Sequence, residues 1–473
     1  MPLLRRLCEP VTPTPRSYQQ QAIDSIRGAY RTGHRRVLFV GATGSGKTFV
    51  FSLIANQASA RGNRVCILVH RAELLDQASR SLSALDVRHG LIRAGEPMDL
   101  SQMVQVASVQ TLARRLHLLP AELFQLVIID EAHHTTAGTW ERVLSHFHAA
   151  RTLGVTATPC RGDGRGLGEH FQEMILGPTP SWLTEHGYLA PARVFCPPGF
   201  DRGGLRKRMG DFDMAQAGEQ LTARAQVGDT VSHYRQHLGQ QTAIAFCCSI
   251  AHAEAVAAAF QSQGIAAASI DGTMDPTTRR QLLEQLGTGE LKVLTSCALI
   301  GEGVDVPSVG GCLLLRPTQS LSLHLQMIGR CLRPQPGKTA IVLDHVGNVT
   351  SLGHHLDPQE WTLDGVHRRP KAAAASVRVC PRCFAAMGGQ AGQCDECGHM
   401  FQAKPRELAQ VAGTLAEVHA GAGVATRKRE QGQAQTLEDL IAVGQRRGMK
   451  NPRGWARHVL AGRQAKGQWG RVA

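Results

Sequence analysis

The stretch VLFVGATGSGKT, residues 37–48, decides the fold. Val37–Val40 reads as a short buried strand, and the residues after Thr48 read as a helix. Between them Gly41, Ala42, Thr43, Gly44, Ser45, Gly46, Lys47 and Thr48 fit the phosphate-binding loop pattern in full. Glycines there let backbone N–H groups wrap a phosphate, and the following helix N-terminus adds positive potential. Lys47 is placed to reach the β- and γ-phosphates of ATP, and Thr48 to hold Mg²⁺.

Working outward, the same alternation of apolar runs and amphipathic segments recurs. Strands are expected at Val37–Val40, Val65–Val69, Val104–Ala107, Leu126–Ile129 and Thr152–Thr156. A second series falls at Ala243–Phe246, Ala267–Ile270, Val293–Thr295, Cys312–Leu315 and Ala340–Leu343. Helical patterns such as Ala72–Leu85 and Ala251–Gln263 lie between, so both series read as parallel sheets covered by helices. The fold class is α/β with two tandem parallel-sheet domains.

LVIIDEAH, residues 126–133, completes the first half of the site. Its strand delivers Asp130 to the carboxyl end, where it binds Mg²⁺ through water, and Glu131 follows to polarise the attacking water. In the second series, QMIGRCLR (326–333) sets Arg330 and Arg333 three residues apart, on one helix face. An arginine reaching a γ-phosphate from a second domain is worth roughly 10³–10⁵ in rate. A solvated basic helix is the alternative for this stretch alone.

Composition narrows the partners. The chain has 473 residues, 52 Lys+Arg against 38 Asp+Glu and a net charge of +14, which favours polyanions. The segment 401–473 alone carries 13 Lys/Arg and 5 Asp/Glu. No apolar run approaches the ~18–20 residues of a membrane span, so no membrane partner is expected. The 13 cysteines are odd in number and mostly scattered, which excludes a disulfide framework. Four are clustered: Cys380, Cys383, Cys394 and Cys397, two Cys-x-x-Cys knuckles ten residues apart. That spacing reads as a structural Zn²⁺ ribbon with no open coordination position, and Gly398 permits the turn after the second knuckle.

The three motifs, in this order, resemble superfamily 2 helicases and translocases over roughly residues 12–350. The resemblance implies two RecA-like domains with ATP between them and Gln326, Arg330 and Arg333 completing the catalytic set. Arg16 and Gln19, in RSYQ, look like the adenine-reading element. His133, Thr156 and Thr158 look like residues that couple ATP state to strand binding. His70 and Arg71, Thr111, and Thr295 with Ser296 match strand-contacting motifs, and Gly303 and Asp305 match the motif facing both ATP and the backbone. Within the superfamily the chain is similar to the type III restriction helicase-like group, especially RadD-like DNA repair helicases. The carried residues are LLRPTQSLSL (314–323), PGKT (336–339) and HGYLAP (186–191). Ala132 stands where RadD-like proteins commonly have Cys, and no nuclease constellation is evident.

The expected domains are 1–178 (ATP-binding), 179–225 (connector), 226–350 (second RecA-like domain), 351–376 (linker), 377–402 (zinc ribbon) and 403–473 (basic helical tail). In the tail, Thr436 and Asp439 suggest a capped helix, and Asn451-Pro452 a second helix start. Trp455, Arg457 and Arg463 read either as a nucleic-acid contact or as a small hairpin core with solvated charges. The expected activity is an ATP-dependent DNA helicase or translocase in repair, recombination or replication, in the cytoplasm of a bacterium or phage-infected cell. Single-stranded or forked DNA is the expected partner, and the resemblance adds a single-strand-binding protein. An RNA helicase and a nucleic-acid-binding scaffold with little motor activity are the rival readings.

Overall fold

A computed structural model describes residues 13–134, 138–160, 165–198, 200, 202–208, 211–223, 226–297, 309–364, 377–401, 430–431, 433–449 and 451–469. They fall into two compact units, 1–403 and 404–473.

The first unit holds two large sheets. Strands β1 (Arg36–Val40), β2 (Val65–Val69), β3 (His89–Ile92), β4 (Val104–Ser108), β5 (Leu126–Asp130), β6 (Arg151–Thr156) and β7 (Glu173–Leu176) form one sheet in the order β3-β4-β2-β5-β6-β1-β7. Every pairing in it is parallel. Helices α1 (Ser17–Arg31), α2 (Lys47–Ser59), α3 (Ala72–Ala84), α4 (Val109–Arg115) and α5 (Gly138–His146) accompany it. Burial on both faces explains why β2 and β5 are apolar at nearly every position. The expected strands are all present. The two edges, β3 and β7, escape the apolar-run criterion because each is four residues long and β7 has no buried residue.

The second sheet corrects the reading of the connector. Helix α6 (Pro180–Glu185) and strand β8 (Ala192–Phe195) are followed by the hairpin of β9 (Lys207–Arg208) and β10 (Asp211–Phe212), then α7 (Met214–Ala223) and α8 (Gln226–His237). Strands β11 (Ala243–Cys247), β12 (Ala267–Ile270), β13 (Val293–Cys297), β14 (Gly311–Leu314) and β15 (Ala340–Asp344) then build the sheet β12-β13-β11-β14-β15-β8, again all parallel. The segment expected to join two domains thus supplies an edge strand to one of them. Its sequence, ARVF, is too short to announce itself between prolines. Helices α9 (Ile250–Ser262), α10 (Pro276–Thr288), α11 (Leu321–Gly329) and α12 (Asn348–Leu352) complete this part.

The expected linker is also packed where it is described. After α12 the chain returns to the first sheet's side: Leu363 O accepts from Gly168 N at 2.8 Å, and Trp361 and Leu363 pack on the core around Phe124 and Phe171. The cysteine segment forms a small hairpin, β16 (Val377–Val379) with β17 (Ala386–Gly388). It docks on β8 through Cys196 N donating to Phe384 O at 2.8 Å and an Arg193–Glu396 ion pair.

The second unit contains α13 (Leu437–Arg446) and α14 (Pro452–Trp469). The anticipated cap is present: Thr436 Oγ1 accepts from Asp439 N at 3.1 Å while Asp439 accepts from Thr436 N at 3.0 Å. Asn451 likewise accepts from Gly454 N at 2.9 Å at the start of α14. Trp455 packs against a core of Ala434, Leu440, Val443 and Ala456, which favours the hairpin-core reading of that residue.

Candidate functional site

Each motif of the first sheet sits at the carboxyl end of its strand. Ligands of parallel α/β sheets bind along that edge. β1 runs into the glycine loop, whose Gly44 and Gly46 adopt φ of 86° and 82°, a region closed to most side chains. A Cβ on Gly46 would lie 2.5 Å from Gln19 Nε2, so glycine also permits the close approach of α1. Lys47 Nζ donates to Ala42 O at 3.4 Å, inside the loop it serves. Burial is the main force lowering the Lys47 pKa; Glu131 and Asp130 oppose it, and Arg330 adds to it. Arg330, at the end of α11 on the second sheet's side, thus bears electrostatically on Lys47.

Asp130 is buried at the end of β5 and accepts from Glu131 N at 3.0 Å. Glu131 itself has φ of 50°, a left-handed conformation costing a non-glycine residue about 1–2 kcal/mol. Thr48 Oγ1 accepts from Gln77 Nε2 of α3 at 3.4 Å.

A chain of polar contacts leaves Glu131 and ends in the other domain. Glu131 Oε2 lies 3.4 Å from His133 Nδ1, which lies 3.1 Å from Thr156 Oγ1. The Thr156 hydroxyl donates to Thr158 O at 2.9 Å and accepts from Thr158 N at 3.1 Å. Thr158 Oγ1 then meets Ser322 Oγ of α11 at 2.6 Å, and both residues are buried.

Ser322, Gln326 and Arg330 are spaced four apart, so one face of α11 confronts the first domain. Gln326 is buried and its Nε2 has no hydrogen-bond partner; buried Thr43 Oγ1 of the glycine loop has none either. Orphaned buried polar atoms on both walls fit a cleft built for a polar ligand such as a nucleotide. Gly329 lets the walls close: a Cβ there would stand 2.3 Å from Thr43 Cγ2. Arg333 is partly buried, and that burial lowers its pKa.

At the other end of the cleft, Arg16 lies 4.9 Å from the Tyr188 ring centroid and donates to Tyr18 Oη at 3.2 Å. Gln19 Oε1 accepts from Arg16 N at 3.0 Å and its Nε2 donates to Ser45 O at 3.3 Å. One end of that amide thus caps α1 and the other holds the glycine loop. Tyr18 donates to the same Ser45 carbonyl at 2.9 Å.

The strand-contact candidates divide. His70 and Arg71 remain half exposed after β2. Thr111, Thr295 and Ser296 are buried, and Thr295 Oγ1 donates inward to Ala253 O at 2.7 Å, so its hydroxyl does not face a strand. Gly303 and Asp305 lie outside the described residues. Ser322, Tyr18 and Tyr188 lie in stretches singled out in the sequence, but none of the three was given a role of its own there. Only Ser322 carried a usable signal, its spacing of four from Gln326.

The four cysteine sulfurs lie within 4.8 Å of one another, with Cys380–Cys397 and Cys383–Cys394 each at 3.6 Å. A tetrahedral Zn–S₄ centre with bonds of about 2.3 Å has sulfur–sulfur edges of about 3.8 Å, so the donor set fits zinc. The knuckles repeat one turn: Phe384 N donates to Cys380 O and Gly398 N to Cys394 O, both at 2.9 Å, at φ of 60° and 70°.

A phosphate loop, an acidic strand end and a facing arginine helix on two RecA-like sheets define a P-loop ATPase with a two-domain cleft. The family model described as type III restriction enzyme, res subunit, matches residues 12–161, and the helicase conserved C-terminal domain matches residues 226–335. A 51.5 kDa protein of a Lactococcus phage is 34% identical over 361 residues, covering 76% of each chain. The Saccharomyces cerevisiae protein named for an ATP-dependent helicase, IRC3, is 31% identical, covering 72% of this chain and 52% of its own length. A solved fragment of a type I restriction HsdR subunit from Vibrio vulnificus YJ016 superposes with a TM-score of 0.58 at 24% identity, over 72% of this chain and 66% of that one. The chain belongs to the superfamily 2 helicases of the restriction-helicase-like group, and is a helicase-type, nucleic-acid-dependent ATPase.

Proposed function

We propose that the protein is a DNA motor: ATP hydrolysis in the cleft drives movement along DNA, in repair, recombination or replication, as in RadD-like helicases. The observation that carries this reading is the polar chain from Glu131 to Ser322. It joins the carboxylate proposed to polarise water to the helix that bears the proposed arginine finger, so nucleotide state and domain spacing are linked. In this mechanism the glycine loop would hold Mg·ATP, Lys47 would neutralise the β- and γ-phosphates, and Thr48 and Asp130 would hold the ion. Arg330 and Arg333 stabilise the transition state only when the cleft is shut. Loss of the γ-phosphate releases α11, and the domains change their grip on a phosphate backbone near His70 and Arg71. Backbone grip is sequence-independent and salt-sensitive. Zinc in the four-cysteine cluster is part of the proposal, as a structural ion.

The test is ATP hydrolysis without polynucleotide, then with single-stranded, duplex and forked DNA and with RNA. Stimulation by DNA well above RNA is expected. Stimulation by RNA alone would reassign the substrate, and no turnover under any condition would leave a binding scaffold.

A further inference from the structure

The segment 186–191 follows α6, and its sequence dictates its path. Gly187 takes φ of 70°, the left-handed turn that ends a helix without a Cβ penalty. The chain folds back there, so Tyr188 N and Leu189 N both donate to Leu183 O, at 2.7 and 3.1 Å. Tyr188, Leu189 and Ala190 then meet three different parts of the ATP site.

Tyr188 meets the base end. Its ring centroid lies 4.9 Å from the Arg16 guanidinium carbon and 5.9 Å from the Trp182 ring, with 22° between the two ring planes. Tyr18 closes the cluster edge-on, 5.0 Å from Tyr188 and 5.9 Å from Trp182. Arg16 also donates to Tyr18 Oη, which in turn donates to Ser45 O of the glycine loop. Two contacts thus fix the guanidinium of an otherwise exposed residue. One face rests on an aromatic ring, and the other is open to a planar group. A nucleobase is such a group, and guanidinium planes stack on bases.

Leu189 meets the phosphate end: a Cβ on Gly44 would stand 2.9 Å from its Cδ2. Ala190 meets the arginine stretch. Its N donates at 2.8 Å to the carbonyl of Leu332, which lies between Arg330 and Arg333. Leu189 and Ala190 are both buried, so packing holds both contacts in place.

We propose that Tyr188 is a positioning residue of the ATP site: its ring holds Arg16 as a shelf for the nucleobase, and the two residues after it tie that shelf to the glycine loop and to the arginine stretch. The proposal rests on the ATPase assignment and is the same whether the polynucleotide is DNA or RNA. Binding energy gained at the base, remote from the reacting phosphate, is then available to seat the arginines.

Equilibrium competition against a fluorescent ATP analogue on the full-length chain tests it, with Mg·ADP and, as a base-free probe, magnesium tripolyphosphate. Tyr188→Leu should weaken ADP about tenfold, the range of one lost base stack, while tripolyphosphate stays within about twofold of the parent. Tyr188→Phe keeps the ring and should bind ADP as the parent does. Arg16→Ala, a change at an exposed residue, should produce the same ADP-selective loss on its own. In a chain already carrying Arg16→Ala, Tyr188→Leu should add less than about twofold, because it acts through that guanidinium. Equal weakening of ADP and tripolyphosphate in Tyr188→Leu would make the residue a general support of the fold and overturn the proposal. Full additivity of the two substitutions would overturn it as well, as would an unchanged ADP affinity in either single variant.

Discussion

The two RecA-like sheets contribute to one cleft in different ways. The first offers strand ends, each with its own short motif: the glycine loop after β1, Asp130 and Glu131 after β5, Thr156 and Thr158 after β6. The second offers the side of one helix, α11, on which Ser322, Gln326 and Arg330 matter only because another domain lies opposite. Strand-end chemistry draws on neighbouring strands of one sheet. Helix-face chemistry needs both sheets, so in the proposed mechanism the second domain is the part that switches the site.

That contrast can be broken at Gly329, where only the absence of a side chain lets α11 reach the glycine loop. Gly329→Ala should hold the walls apart and lower stimulated turnover by about 10²-fold or more, the scale of a 1 Å misplacement of catalytic groups. Nucleotide binding to the first domain should stay near normal, and steady-state kinetics beside equilibrium nucleotide titration would separate the two. Normal turnover in this variant would mean that the cleft does not need so close an approach.

A smaller effect is expected at Ser322, which touches no proposed substrate atom. Ser322→Ala leaves Thr158 without its partner across the cleft, a loss on the order of 1 kcal/mol for one buried hydrogen bond. ATP turned over per base pair unwound should rise while the basal rate changes little, and Ser322→Thr should restore the ratio. An unchanged ratio in Ser322→Ala would remove the contact from the coupling path.

The smallest effect belongs to the ribbon, which leans on the β8 edge far from the catalytic residues in sequence. Stripping the metal with a strong chelator should release about one zinc per chain and lower the melting temperature. ATP turnover at low temperature should persist within a few-fold. Loss of all turnover on stripping would assign the ribbon a part in the cleft.

What could be read beforehand follows the same division. The glycine loop and the acidic strand end are fixed by backbone geometry and ligand chemistry, so their residue types are nearly forced. The four cysteines were legible for the same reason. Strand β8 and the packed stretch through Trp361 and Leu363 were not, because a four-residue edge strand and a return crossing have no periodicity to detect. Thr295 misled because its motif predicts a location, whereas its hydroxyl's direction depends on Ala253 O in a neighbouring helix. Ser322 stayed hidden since its role requires Thr158, 164 positions away in sequence.

The central claim is that the second domain completes the catalytic site through Arg330. Arg330→Ala, assayed for ATP binding and for turnover on saturating single-stranded DNA, tests it most directly. The account predicts nucleotide affinity within a few-fold of the parent and turnover lower by about 10³-fold or more. Turnover at the parental rate with intact binding would contradict it.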